Sequence, residues 1–315
     1  MSLSPPVPSA PPAAAKPARC SDTRFLVVWA ILVGGLVVAG VASTVLSRGQ
    51  WFALLMFLYF GPYKVAALIG LSGEERRRLT GWRLLAFFVW VGLQPRPFLP
   101  AHSPPGSEPR PTWRGFLLNL LTGAVLMWGV AWLLPAGTPL LVRAWAGLVG
   151  LAFLRLFATL DFWSLVFRRL GFPVEKPFVN PAAATSLRDF WGRRWNRIMS
   201  GMLRDLLFTP LARHVGVVAA TAAVFVYSGV LHEFVSVLAR GGYGRPTLYF
   251  LIQGAGFLVE GTRFGRRFLV GSPLLGRCWM ALVVVGPVAL VVPPAFLVEV
   301  IVPVLREAGV PGLGE

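Results

Sequence analysis

Seven stretches of this chain are apolar over most or all of a bilayer's width, and that leaves it few folds to adopt. They cover residues 25–47, 50–72, 115–134, 141–165, 215–238, 248–259 and 279–302; the sixth is short. A spanning helix needs about 20 predominantly apolar residues, and lipid admits only backbone that satisfies its own hydrogen bonds. The expected fold is therefore an all-α multi-pass membrane protein with about seven transmembrane helices. Composition agrees, with 56 % hydrophobic and only 14 % charged residues and a mean hydropathy of +0.67. Residues 84–93 are too short to cross, so they read as a re-entrant or interfacial helix. Residues 1–24 are rich in Pro, Ala and Ser and read as a disordered tail. Residues 25–305 form the membrane domain and 306–315 a C-terminal tail. The first apolar run is longer than a signal-peptide core and lacks a cleavage pattern, so it reads as a retained helix.

The net charge of +17 does not point to nucleic acid. The basic residues sit between apolar runs, and no nucleic-acid-binding motif accompanies them. With the N-terminus in the cytoplasm and the seven runs crossing alternately, 23 of the 30 Lys and Arg fall on the cytoplasmic side and four on the other. That asymmetry is the positive-inside pattern. It predicts an integral membrane protein, in the inner membrane if the cell is bacterial. Membrane lipids are its surroundings; its oligomeric state is not written in the residues. Cys20 and Cys278 show no metal-ligand spacing and leave a disulfide open.

The long connection at 166–214 carries the first candidate site. Pro173, Pro177, Asn180 and Pro181 punctuate its early part. Ser186 reads as a helix N-cap with Asp189 three residues on. A cytoplasmic amphipathic helix is expected over about 186–208, with Leu187, Phe190, Trp191, Trp195, Ile198, Met199, Met202, Leu203, Leu206 and Leu207 on one face. Arg188, Arg193, Arg194, Arg197 and Arg204 occupy the other face. Arginine opposite tryptophan suits a helix lying in the membrane interface, and Pro210 is expected to end it. Asn196 falls on the border between the faces. It reads either as a helix-surface asparagine bonded to a loop carbonyl or as a group aimed at a reaction chamber.

The second candidate is His232, inside the run 215–238. Ionisable residues within a membrane are functional-site candidates, and a neutral imidazole is a competent general base toward a hydroxyl. Ser228 and Ser236 lie four residues to either side, so the three make one polar stripe. A structural histidine bonded between helices is the competing reading. Glu233 projects about 100° away. His102 and His214 read as surface residues. A straight helix from Val215 would carry His232 about 26 Å along its axis, away from Asn196. Only a tilt or a deep chamber would reconcile the two.

Together these segments resemble the membrane-bound O-acyltransferases. The resemblance rests on the run from Ser186 to Asn196, SLRDFWGRRWN, and on SGVLHEF around His232. It is strongest to the wax-synthase-like branch that esterifies long-chain alcohols. Leu93-Gln94-Pro95-Arg96-Pro97-Phe98 and the approach through Gly171, Asn180 and Thr185 are similar to that branch as well. The resemblance implies acyl transfer from acyl-CoA to a lipophilic alcohol, with Asn196 and His232 as the catalytic pair. It implies substrate-binding roles for Trp191, Arg193, Arg194, Trp195, Arg197, Ser228 and Ser236. No metal or resident cofactor is implied, because acyl-CoA is a co-substrate. The same chemistry on a sterol, glycolipid or secondary metabolite stays open, as do a proton-coupled transporter using His232 and a non-catalytic scaffold.

Overall fold

The computed structural model describes residues 22–100, 109–135 and 137–313, and every regular element among them is helical. Most of the Pro/Ala-rich tail, Cys20 and His102 lie outside the described residues. Helix α1 begins within the last residues assigned to that tail and spans Asp22–Ala42; α2 spans Arg48–Ile69. Ser47 and Gln50 close a capping box at the start of α2, which satisfies two amide donors that a helix end leaves unpaired. Then come α3 (Gly73–Arg78), α4 (Gly81–Val89), α5 (residues 113–133) and α6 (Leu140–Arg169). A short segment, α7 (residues 187–194), leads into α8 (Arg197–Ala239). The chain ends in α9 (Arg245–Glu260), α10 (Pro273–Val291) and α11 (residues 294–307).

By length and composition, α6, α8 and α10 are the helices able to cross a membrane, among the described residues. The other apolar runs fold as α1, α2, α5, the 16-residue α9, and α11. The run expected at 279–302 is not one helix. Val292 and Pro293 interrupt it, and a fresh helix, α11, starts at Pro294, a first-turn position where the missing amide hydrogen is tolerated. Of residues 84–93, the first six belong to a short element, the nine-residue α4, and 90–93 lie beyond its end. Lys64 of α2 is 3 % exposed and donates to the carbonyls of Phe87 (2.6 Å), Phe88 (3.0 Å) and Trp90. The last carbonyls of α4 thus gain the partners that the helix end denies them.

The amphipathic stretch departs from expectation at two points. It is not continuous, because Trp195 is extended and Asn196 is left-handed, which divides 187–194 from 197 onward. Part of its apolar face is turned onto the protein interior. Ile198, Met202, Leu203, Leu206 and Leu207 are buried against a core containing Trp90, Phe98, Phe167 and Phe172. Pro210 does not end it either. The proline sits where the helix passes from a π turn into regular α geometry, a position where its missing amide hydrogen costs little.

The real break in α8 is at Gly216, with φ +82° and ψ 167°. Only glycine adopts that conformation without steric penalty. Helix 197–215 therefore turns before helix 217–232 begins. The distance count that separated His232 from Asn196 assumed no such turn.

Candidate active site

A cavity of about 580 Å³ opens between α7, α8 and α9. Asn196 and His232 both line it, as do Trp191, Trp195, Ser228 and Phe250. The turn at Gly216 folds α8 back so that two of its own rods wall one space.

α8 and α9 run antiparallel along this cavity. Near one end Phe250 lies against His232, with ring centroids 4.4 Å apart. Farther along, Phe225 meets Phe257 at 5.6 Å. Gly229 permits the approach: a methyl group there would lie 2.9 Å from the Thr247 Cα. Small residues at such crossings let helix backbones come close.

His232 is the last residue before a break in α8. Its Nδ1 lies 2.7 Å from the Ser228 carbonyl oxygen. A carbonyl only accepts, so Nδ1 carries the proton and Nε2 of the neutral ring keeps its lone pair. Glu233, next in the chain, turns elsewhere. Its carboxylate accepts from Gly244 N (3.1 Å), Thr247 N (3.0 Å) and Thr247 Oγ1 (2.5 Å). It caps the N-terminus of α9, where the helix dipole favours negative charge, and this pins the α8 break to the helix that carries Phe250.

Asn196 has φ +39° and ψ +59°, a region that asparagine tolerates better than most residues. Its Oδ1 accepts from Met199 N at 3.3 Å and caps the helix that follows. Its Nδ2 makes no hydrogen bond among the described residues, which leaves two amide hydrogens for a ligand. The asparagine is thus a cap and a cavity-lining donor together, rather than a helix-surface residue.

α9 aligns the rest. Gln253, fully buried, donates to the Val283 carbonyl at 2.6 Å and accepts from Trp191 Nε1 at 3.3 Å. Glu260 accepts from the amides of Leu187 (2.6 Å) and Arg188 (3.2 Å) at the start of α7. One helix therefore touches His232 through Phe250, Trp191 through Gln253, and the first turn of α7 through Glu260. Neither Gln253 nor Glu260 was singled out from sequence. Buried polar residues in apolar helices were the available signal.

Several expected binding residues lie elsewhere. Arg194 pairs with Asp189 at 2.6 Å and Arg197 with Glu175 at 3.1 Å; both fasten loops. Arg193 is exposed and does not line the cavity. Ser236 lies beyond the helix break, where its hydroxyl donates to the Gly242 carbonyl at 3.1 Å, so the polar stripe is interrupted. The arginines that do line the cavity are Arg188 and Arg204. Arg188 lies over the Phe257 ring, 4.6 Å from its centroid. Arg188 shares its end of the cavity with Gly261, Val217 and Val218. From Val217 to His232 is about 22 Å along the helix. The cavity therefore has a basic end and an imidazole end. No group of His, Cys, Asp and Glu among the described residues is placed to hold a metal.

Residues 174–253, which include the approach loop, Asn196, His232 and Gln253, match the model of the Membrane bound O-acyl transferase family. The segment that builds most of the cavity is thus similar to the membrane-bound O-acyltransferases, as the residues themselves suggested. Among curated proteins, the chain is 38 % identical over 115 residues to probable long-chain-alcohol O-fatty-acyltransferase 7 of Arabidopsis thaliana, covering 32 % of this chain and 34 % of that one. It is 36 % identical over 104 residues to the long-chain-alcohol O-fatty-acyltransferase of Simmondsia chinensis, covering 29 % of each. It is 39 % identical over 98 residues to acyl-CoA–sterol O-acyltransferase 1 of Arabidopsis thaliana, covering 28 % of each. The chain spans about a third of the length of the curated relatives it matches.

Proposed function

We propose that this protein is a multi-pass membrane O-acyltransferase that transfers a fatty acyl group from acyl-CoA to the hydroxyl of a lipophilic alcohol, forming a wax ester. The observation that carries the reading is the single cavity lined by both Asn196 and His232. The acceptor hydroxyl gives its proton to His232 Nε2 as its oxygen attacks the thioester carbonyl carbon. Asn196 Nδ2 donates to the oxyanion of the tetrahedral intermediate. The carbon–sulfur bond then breaks, and the imidazolium returns its proton to the CoA thiolate. The thioester supplies the driving force, so no resident cofactor takes part.

Arg188, at the basic end, and Arg204, also in the cavity wall, are suited to the CoA phosphates, which guanidinium groups bind through charge-assisted hydrogen bonds. The apolar wall between them and His232 accommodates the donor's arm or a hydrocarbon chain. About seven crossings with a cytoplasmic N-terminus accord with the distribution of basic residues. That orientation places residues 166–214, and with them the two arginines, on the side where CoA is found.

A sterol acceptor is the second reading, favoured by the sterol-esterifying relative. Membranes containing the protein, given labelled acyl-CoA and a panel of long-chain alcohols and sterols, decide between them by which new ester forms. No ester with any acceptor overturns both.

A further inference from the structure

We propose that the ion pair between the buried Asp161 and the partly exposed Lys176 is a positioning device for Asn196; the proposal rests on the role given to Asn196 above. Asp161 lies on α6 and is 2 % exposed. It does not line the cavity. Its Oδ2 lies 3.1 Å from Lys176 Nζ and accepts from Asn119 Nδ2 of α5 at 3.0 Å. The carboxylate thus ties two helices to the loop at 174–180.

That loop in turn brackets Asn196. Val179 N donates to the Arg194 carbonyl, and Arg197 N donates to the Pro177 carbonyl, each at 2.9 Å. The Arg197 guanidinium reaches the Lys176 carbonyl at 3.4 Å and the Glu175 carboxylate at 3.1 Å. The residues on both sides of Asn196 are therefore bonded to a loop that is anchored at Asp161. A left-handed residue persists only where its surroundings over-determine it. Here the surroundings are this pair of backbone bonds, and the ion pair fixes their far side. An unpaired charge in that core is costly, so the loop cannot drift away from Asp161. The consequence is a carboxamide held at a fixed place in the cavity wall.

The test uses the full chain in membranes or detergent, with Asp161→Asn and Lys176→Met. Either substitution is expected to lower kcat for ester formation about 10- to 100-fold, the cost of a small misplacement, while KM for the acyl donor holds. Amide hydrogen exchange should speed up across residues 174–197 and stay unchanged in α9. Unchanged kcat in both variants overturns the proposal. So does a fall in kcat with unaltered exchange across 174–197. If Asp161→Asn does not fold, Lys176→Met carries the test, because that side chain is 20 % exposed. If the unaltered protein forms no ester with any acceptor, the proposed function fails, and the exchange measurement alone still shows whether the ion pair holds Asn196.

Discussion

The Nδ1 of His232 lies 2.7 Å from the carbonyl oxygen of Ser228, one helical turn earlier. This one bond settles the tautomer, because a carbonyl cannot donate. It also leaves the lone pair of Nε2, on the opposite edge of the ring, free for the proton that the proposed reaction removes. The Phe250 ring, tilted 38° to the imidazole with centroids 4.4 Å apart, packs against it and restricts its rotation. A side chain that sequence marks only as an intramembrane histidine becomes a ring of defined orientation in a cavity wall.

Replacing His232 with Ala or Gln should lower ester formation by about 10²- to 10⁴-fold, the usual contribution of a positioned base. Labelled acyl-CoA turnover in membranes with equal protein content measures it. Only the neutral ring accepts a proton, so the rate in the unaltered protein should fall as acid protonates the imidazole and level off on the alkaline side. Unreduced turnover in His232→Ala would point to a scaffold or to a base elsewhere.

Asn196 has a backbone role and a side-chain role that two substitutions separate. Asn196→Gly keeps the left-handed conformation and removes the carboxamide; Asn196→Ala loses both. If Nδ2 stabilises the oxyanion, both variants should lose about 10²- to 10³-fold in kcat. Only the alanine variant should also pay for a left-handed alanine, roughly 1–3 kcal/mol of stability. Paired kinetics and thermal unfolding of the two purified variants distinguish these effects.

Arg188→Ala and Arg204→Ala should raise KM for acyl-CoA and leave kcat nearly unchanged, because they hold a part of the donor remote from the reacting carbon. Arg193→Ala should change neither constant. The KM of the unaltered protein should also rise with ionic strength, since exposed charges are screened. A KM that ignores both arginines would move the donor's phosphates away from this end of the cavity.

Glu233→Ala removes the acceptor of two backbone amides and one hydroxyl at the start of α9. Unsatisfied donors at that junction should cost roughly 1–3 kcal/mol, seen as a lower unfolding temperature in detergent. Activity should fall with it, because Phe250 rides on the helix that Glu233 pins. Thr247→Val removes only the hydroxyl bond and should show a smaller effect in the same direction.

Much of this site was legible along the chain, for local reasons. His232 stands out because an ionisable group in an apolar run is costly to bury. Ser186 does cap a helix, accepting from Asp189 N at 2.9 Å, because capping depends on residues three apart. The helix expected over 186–208 failed at Asn196 because periodicity reports which residues share a face. It cannot report that a loop at 174–180 bonds to both flanks of one residue and holds it left-handed. The arginines that line the cavity were not distinguishable for a similar reason. Every arginine on the polar face looks alike in sequence, and only the positions of Asp189 and Glu175 show which are already paired.

The sequence alone determined that the chain is helical and apolar, that its polar chemistry is concentrated near Asn196 and His232, and that this segment is akin to the O-acyltransferases. These follow from composition, local spacing and motif, which neighbouring residues carry. Tertiary structure decided that the two side chains share a cavity, that Arg188 and Arg204 rather than Arg193, Arg194 and Arg197 line it, and that α9 aligns the walls. Such relationships depend on the turn at Gly216 and on contacts between residues tens of positions apart. Their energies exist only once the helices have packed.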